Sequence, residues 1–217
     1  MGLELAKNIG IENKKTKLIL SVHAPYYINL ASNEKEKITA SKNRILDSCE
    51  RGHLLGAKYI VFHAAFYQKL SKEECYGQVK KGILEMNKTI KKNKWNTVLC
   101  PETTGKASQF GDLDELIKLS KETNCGICID FAHLEARYNK EPDYHEVAKK
   151  IKNIKHKTAH FSGIEYTQKG ERRHLDLDLK KTKKLFTALN KEKISMTVIC
   201  EAPDTWDDAI KMKKLAK

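Results

Sequence analysis

Along this chain, short apolar runs repeatedly end in a side chain of metal-ligand type. Leu18 to Val22 (LILSV) leads into His23, Tyr59 to Phe62 (YIVF) into His63, and Thr97 to Cys100 (TVLC) into Pro101 and Glu102. Gly126 to Ile129 (GICI) ends in Asp130, with His133 three residues on and assigned to the following loop. Thr158 to Phe161 (TAHF) carries His160, and Ile194 to Cys200 leads into Glu201. Brief runs rich in β-branched residues read as buried strands. Between them the spacing of apolar positions lengthens to the helical period. Lys35 to Ala57 places Ile38, Ile45, Cys49 and Leu54 near one face. Ser71 with Glu74 is a capping-box signature opening a helix whose stripe is Cys75, Val79, Ile83, Met86 and Ile90. Asp112 with Glu115 opens the next, through Leu113, Leu116 and Ile117. Helices are also predicted over Tyr144 to Ile154, around Leu185 to Leu189, and over Asp204 to Leu215. Met1 to Ile11 reads as the end of a helix, Lys14 to Lys17 as a polar turn, and Gly163 to Leu179 as a loop holding His174.

Strand and helix alternate six times, which predicts parallel strands joined by crossover helices. An open doubly wound sheet gathers its ligands at one switch point, whereas the ligand-type residues here follow strand after strand. That distribution predicts the C-terminal rim of a (β/α) TIM-type barrel, in a single domain over residues 1–217 with six recognisable strands.

Charge and cysteine content narrow the setting. Lys and Arg number 41 against 28 Asp and Glu, for a net charge of +13, and only five of the basic residues are Arg. A surplus of this size favours a polyanionic partner, although lysine-rich helix faces can also be solvated surface. Six Cys without a secretory signal read as reduced thiols in a cytoplasmic protein. Cys125 and Cys128 form a CxxC, but inside a strand, not at the helix opening where redox pairs sit. No apolar run approaches the ~20 residues of a membrane span.

The candidate site is His23, His63, Glu102, Asp130, His133, His160, His174 and Glu201; His53, His145 and His156 read as surface. Packing offers no reason to gather so many ligand-type groups on one rim, and burying them without a cation is costly. Imidazole and carboxylate suit Zn2+, with manganese or iron as alternatives. Eight donors exceed one tetrahedral ion, so two or three ions sharing bridging carboxylates are expected. Multinuclear sites of this kind hydrolyse phosphate esters.

The order SVHAPYYINLAS, an FHA strand end, Glu-Thr-Thr-Gly-Lys-x-Ser, CIDxxH, HFSG and finally CEAPD resembles the endonuclease IV family of apurinic/apyrimidinic endonucleases, from about Leu18 to Trp206. The resemblance implies a zinc-dependent xylose-isomerase-like barrel that cuts double-stranded DNA on the 5′ side of abasic sites. It implies His23, His63 and Glu102 on one zinc. Glu102, Asp130, His160 and Glu201 would hold a second, with Glu102 bridging and catalytic, and His133 and His174 would contribute to a third. Tyr26 and Tyr27 match the loop that wedges into DNA at the lesion, where the missing base makes nucleotide flipping comparatively cheap. Asn29 and the Gly105 to Gln109 loop are expected to contact the DNA backbone or shape the loop.

Two departures from that pattern stand out. The family has eight strands, and the two without a counterpart would precede Leu18; an open barrel would expose strand edges, and the chain is expected to be a monomer, or a dimer if the barrel is open. Arg172 stands where the family has the Asp of the third-metal loop; Glu171, Asp176 or Asp178 are the candidates to substitute for it, but none is at the matching spacing. Two metals are therefore expected to be retained and the third to be weak. Two other readings remain at this level. One is a sugar isomerase or epimerase resembling xylose isomerase, using Glu102, Asp130, His160 and Glu201. The other is a non-catalytic relic that binds abasic DNA.

Overall fold

The computed structural model describes residues 1–216. Six parallel strands carry the fold: β1 (Ser21–His23), β2 (Tyr59–Phe62), β3 (Val98–Pro101), β4 (Ile127–Asp130), β5 (Lys157–Phe161) and, after an antiparallel hairpin of β6 (Gly163–Thr167) and β7 (Gly170–Leu175), β8 (Val198–Cys200). β1-β2-β3 and β4-β5-β8 are each hydrogen-bonded in that order, and a parallel bridge between Glu102 and Cys128 joins them. The helices are α1 (Leu3–Thr16), α2 (Lys35–Leu55), α3 (Lys72–Lys92), α4 (Leu113–Thr123), α5 (Phe131–Tyr138), α6 (Tyr144–Ile151), α7 (Leu179–Lys191) and α8 (Thr205–Leu215). The six parallel strands fall on the six apolar runs, β8 being shorter than the predicted Ile194 to Cys200. β1 and β8 each pair on one side only among the described residues.

Both capping boxes form, at Ser71 for α3 and at Asp112 for α4, and each joins two backbone N–H groups to local side-chain acceptors. The main core lies between sheet and helices and contains Phe62, Phe110, Phe131 and Phe161, none more than 2% exposed. Inside the strand curve, Val61, Cys100 and Cys128 form a separate small cluster. A Cβ on Gly126 would meet the Cys100 Sγ at 2.6 Å, so glycine is required there. All six cysteines are free, and burial pushes the Cys125 and Cys128 thiols up to about 11 and about 12. The CxxC is thus filling for the strand layer, in agreement with its place in the sequence.

Four local expectations are corrected. The predicted polar turn at Lys14 to Lys17 belongs mostly to α1, which ends only at Lys17 in the left-handed conformation. β1 begins at Ser21; Leu18 and Ile19 are exposed, on a side where no described strand offers the ladder partners that would extend it. His133 lies in the first turn of α5 instead of a loop, because Asp130 Oδ1 accepts from the His133 N–H at 2.7 Å and caps that helix. The predicted Gly163 to Leu179 loop contains the β6–β7 hairpin, whose only apolar alternation is the short Ile164–Tyr166 stretch of β6, while β7 is polar. No helix among the described residues is long and apolar enough to cross a membrane.

One buried cation ties a rim loop to the barrel. Arg137 of α5 is 8% exposed, and its Nη1 donates to the carbonyls of Lys106 (2.6 Å), Gln109 (3.1 Å) and Thr104 (3.3 Å) and to Thr104 Oγ1 (3.1 Å). The chain from Thr104 to Gln109 therefore folds around a guanidinium, whose fixed fork of donors suits several acceptors at once. Replacing Arg137 by Met strips those acceptors of their donor. The substitution is expected to cost about 2–4 kcal/mol, read as a lowered urea midpoint at unchanged slope. A midpoint within error of wild type would show that the loop does not depend on Arg137.

Candidate metal centre

Parallel register brings the strand ends to one rim. His23 pairs with Val61 one strand over, Asp130 pairs with His160, and Phe161 with Cys200, so the residues that follow emerge together. Glu102, 1% exposed, sits at the middle of them. Its two oxygens face different neighbours. Oε2 lies 3.0 Å from His23 Nε2 and 3.2 Å from His63 Nε2, while Oε1 lies 2.8 Å from His160 Nδ1. His160 Nδ1 is also 3.0 Å from Glu201 Oε1. Two ligand groups result, His23–His63–Glu102 and Glu102–Asp130–His160–Glu201, and Asp130, His133 and His174 form a third. All eight side chains read from the sequence thus converge on one centre. A cavity of about 250 Å³ opens onto it, lined by His23, Tyr26, His63, Glu102, His133, Glu171, His174 and Glu201.

The imidazoles are held by their other nitrogens. His23 Nδ1 meets the Ala24 carbonyl at 2.7 Å, His133 Nδ1 meets the Thr103 carbonyl at 3.0 Å, and His174 Nδ1 meets Ser162 Oγ at 2.6 Å. Nδ1–H donation to the two carbonyls leaves Nε2 of His23 and His133 with its lone pair turned to the site, the arrangement typical of metal-ligating histidine.

The carboxylates show why a cation belongs here. Glu102 Oε1, Asp130 Oδ2 and His160 Nδ1 are buried and have no hydrogen-bond partner, although they lie in one ligand group. The 2.8 Å approach of His160 to Glu102 lacks hydrogen-bond geometry. Atoms that crowd one point without bonding to each other would each leave a desolvated group unsatisfied, at about 1–3 kcal/mol apiece. A divalent cation among them removes that penalty, and the nitrogen and oxygen donors suit zinc. Burial raises the Asp130 carboxyl. Glu102 is also opposed by burial, but His160, His23 and His63 outweigh it and hold the carboxyl well below the usual range. Volume does not mark this centre, since a groove of about 590 Å³ between α2 and α3 gathers no comparable ligand group.

Tyr26 and Tyr27 project from the β1–α2 loop at 77% and 82% exposure, so they are not packed into the rim. The Tyr26 ring lies 5.7 Å from that of His23 and 6.2 Å from that of His63. Asn29 shapes the loop: its Oδ1 accepts from the Ala31 and Phe66 N–H groups. His53 is exposed, and His145 and His156 are partly exposed, all away from the centre. Of the three candidates to replace the missing Asp, Glu171 lines the cavity despite its spacing, and its Oε2 is 3.5 Å from His133 Nε2.

Burial alone would lower the His133 pKa, but Asp130, Glu171 and Glu102 outweigh it and carry it from 6.5 up to about 10 in the metal-free chain. A raised folded-state pKa stabilises the metal-free fold below pH 6.5, and that contribution is lost as pH rises toward 10. A cation competes with the same proton. The rise in melting temperature on adding zinc should therefore grow between pH 6.5 and about pH 9. Scanning calorimetry of chelator-treated and zinc-loaded protein measures it, and a rise that shrank over that range would contradict this account of His133.

Comparison with known proteins agrees with the fold. Residues 4–216 match the family described as xylose isomerase-like TIM barrel. An uncharacterized protein of Methanocaldococcus jannaschii, MJ0133, is 39% identical over 99% of this chain and 85% of its own length. A probable endonuclease 4 of Mesomycoplasma hyopneumoniae is 31% identical over 62% of this chain, spanning 48% of that relative. Among solved structures, endonuclease IV from Thermus thermophilus superposes with a TM-score of 0.76 at 21% identity, covering 99% of this chain and 81% of the other. A D-tagatose 3-epimerase-like protein superposes at 0.73 and 18%, covering 97% and 80%. These two structural likenesses speak for the fold alone. With nearly its full length matched, the chain belongs to the xylose isomerase-like TIM barrel family.

Proposed function

We propose that this chain is a zinc-dependent endonuclease that hydrolyses the DNA phosphodiester bond 5′ to an abasic site and leaves a 3′-hydroxyl. The observation that carries the reading is the division of Glu102 between two ligand groups, with Oε2 toward His23 and His63 and Oε1 toward His160. One ion in the Glu102–Asp130–His160–Glu201 group would serve a sugar isomerase or epimerase. His23 and His63 then have no purpose, whereas a hydrolytic centre of two or three ions uses both. Zinc bound there supplies Lewis-acid stabilisation of charge on the phosphate and makes water a competent nucleophile near neutral pH.

The chain's own groups do the rest. Glu102 bridges the two groups and fixes their separation. His23 and His63 are held on the exposed side of Glu102, where a phosphate can reach them. Tyr26, beside His23, and Tyr27, both largely exposed, can fill the gap in a base stack that a lost base leaves. The Arg44 guanidinium donates to the Tyr27 carbonyl at 3.0 Å, placing a cation beside the aromatic pair. A net charge of +13 suits duplex DNA and serves no purpose for a neutral sugar.

A duplex oligonucleotide with one abasic-site analogue tests the reading, alongside a ketohexose as the competing substrate. Zinc-loaded protein should cut on the 5′ side, and chelation should abolish cutting. Glu102→Gln should lower the rate by at least ~1000-fold, about 4 kcal/mol of transition-state stabilisation. Tight binding of the abasic duplex without cutting would indicate a damage-binding protein, and epimerisation of the ketohexose without cutting would indicate the sugar enzyme.

A further inference from the structure

Arg172 occupies the position at which the third-metal loop would be expected to offer a carboxylate, and the hairpin explains what happens instead. β6 and β7 pair Glu165 with Arg173 and Tyr166 with Glu171, so Arg172 is the extra residue of a β-bulge. In a regular strand, Arg172 would share a face with His174, and Glu171 would point the other way. One extra residue reverses that alternation and re-aims the side chain before it. Arg172 is turned outward, 62% exposed, and with Arg173 it grips Glu165 at 2.9 Å and 2.6 Å. Glu171 is turned inward, onto the face of His174.

The surroundings of Glu171 are built to receive it. Its backbone N–H donates to the Gly105 carbonyl at 3.1 Å. A Cβ on Gly105 would lie 2.6 Å from Glu171 Oε2 and 2.7 Å from its Cβ. Gly170, at φ +98°, would carry a Cβ 2.4 Å from the Gly105 carbonyl oxygen. Two glycines thus let the hairpin tip lie directly on the Gly105–Lys106 loop, the loop that Arg137 anchors from behind. Glu171 Oε2 then stands 3.5 Å from His133 Nε2, the nitrogen left free by the Thr103 carbonyl. That is long for a charge-assisted hydrogen bond, ordinarily about 2.7–2.9 Å. It is close to the roughly 3.3 Å that separates two ligands of one tetrahedral zinc at ~2.05 Å each.

We propose that Glu171 joins the Asp130–His133–His174 group as a further carboxylate ligand of a third metal site, delivered by the β7 bulge in place of a residue at the Arg172 position. The proposal rests on the metal reading of the centre given above. It revises the expectation of a weak third site, because the missing carboxylate is replaced from a neighbouring position in the chain and not lost.

Metal content and affinity test it without recourse to activity. Wild-type protein, Glu171→Gln, Gly105→Ala and Glu165→Gln are loaded with zinc, freed of excess and analysed by elemental analysis. Stepwise affinities follow from competition with a chelating dye, and cobalt substitution gives ligand-field spectra. Three ions are expected in wild type and Glu165→Gln. Glu171→Gln should keep two, with the third affinity reduced by at least ~100-fold. Gly105→Ala, whose new methyl group displaces the carboxylate while Glu171 itself is untouched, should reduce the third affinity by at least ~10-fold. Unaltered circular dichroism would show that each variant folds. Three ions held by Glu171→Gln at wild-type affinity, or only two in wild type, would overturn the assignment. A wild-type protein holding no ion would instead overturn the metal reading beneath it.

Discussion

Burying the Glu102 carboxylate constrains everything around it. An ionised carboxylate out of water is tolerated only when opposite charge and donors surround it. Here three imidazoles approach it, from β1, the end of β2 and β5, and still leave Oε1 without a hydrogen-bond partner. Each comes from a separate strand, so the arrangement survives only while the parallel register is kept. A shift of one residue in any of these strands would turn its imidazole to the other face. The apolar residues that hold the register, including Ile60, Leu99 and Ile129, pack between the sheet and the helices. Site and core are therefore one mechanical unit, and the orphaned oxygens of Glu102 and Asp130 are the part of it that protein atoms leave unsatisfied.

The wall of the centre is assembled differently from its floor. The floor is strand ends, fixed by the sheet. The wall is the Thr104–Gln109 loop and the β6–β7 hairpin, which bury little apolar surface. Polar devices hold it instead: Arg137 satisfying three carbonyls, the backbone contact of Gly105 with Glu171, and the left-handed turn at Gly170. An arginine buried for this purpose makes the loop depend on α5, the helix whose first turn carries His133. Loop, hairpin and helix therefore approach the third ligand group as a linked set.

Much of this was open to reading from residue order alone. Six apolar runs became six parallel strands, and the capping boxes at Ser71 and Asp112 formed, because both signals act over a few residues and need no distant partner. The eight ligand-type residues at strand ends were legible for the same reason: strand position dictates which rim a following residue reaches. Other features were settled only by distant contacts. α5 is eight residues long and depends on its Asp130 cap, and the β6–β7 hairpin has too short an apolar alternation, Ile164 and Tyr166, to announce it. The exposure of Leu18 and Ile19 follows from pairing on one side of β1, which no local pattern encodes. Glu171 is the sharpest case. By spacing alone it belongs to the wrong face, and only the pairing of β7 with β6, which makes Arg172 the extra residue, turns it toward His133. The sequence by itself determined which chemistry gathers at the rim, since composition and strand order are local properties. Tertiary structure decided which atoms face one another, because register, bulges and close glycine contacts exist only between segments far apart in the chain.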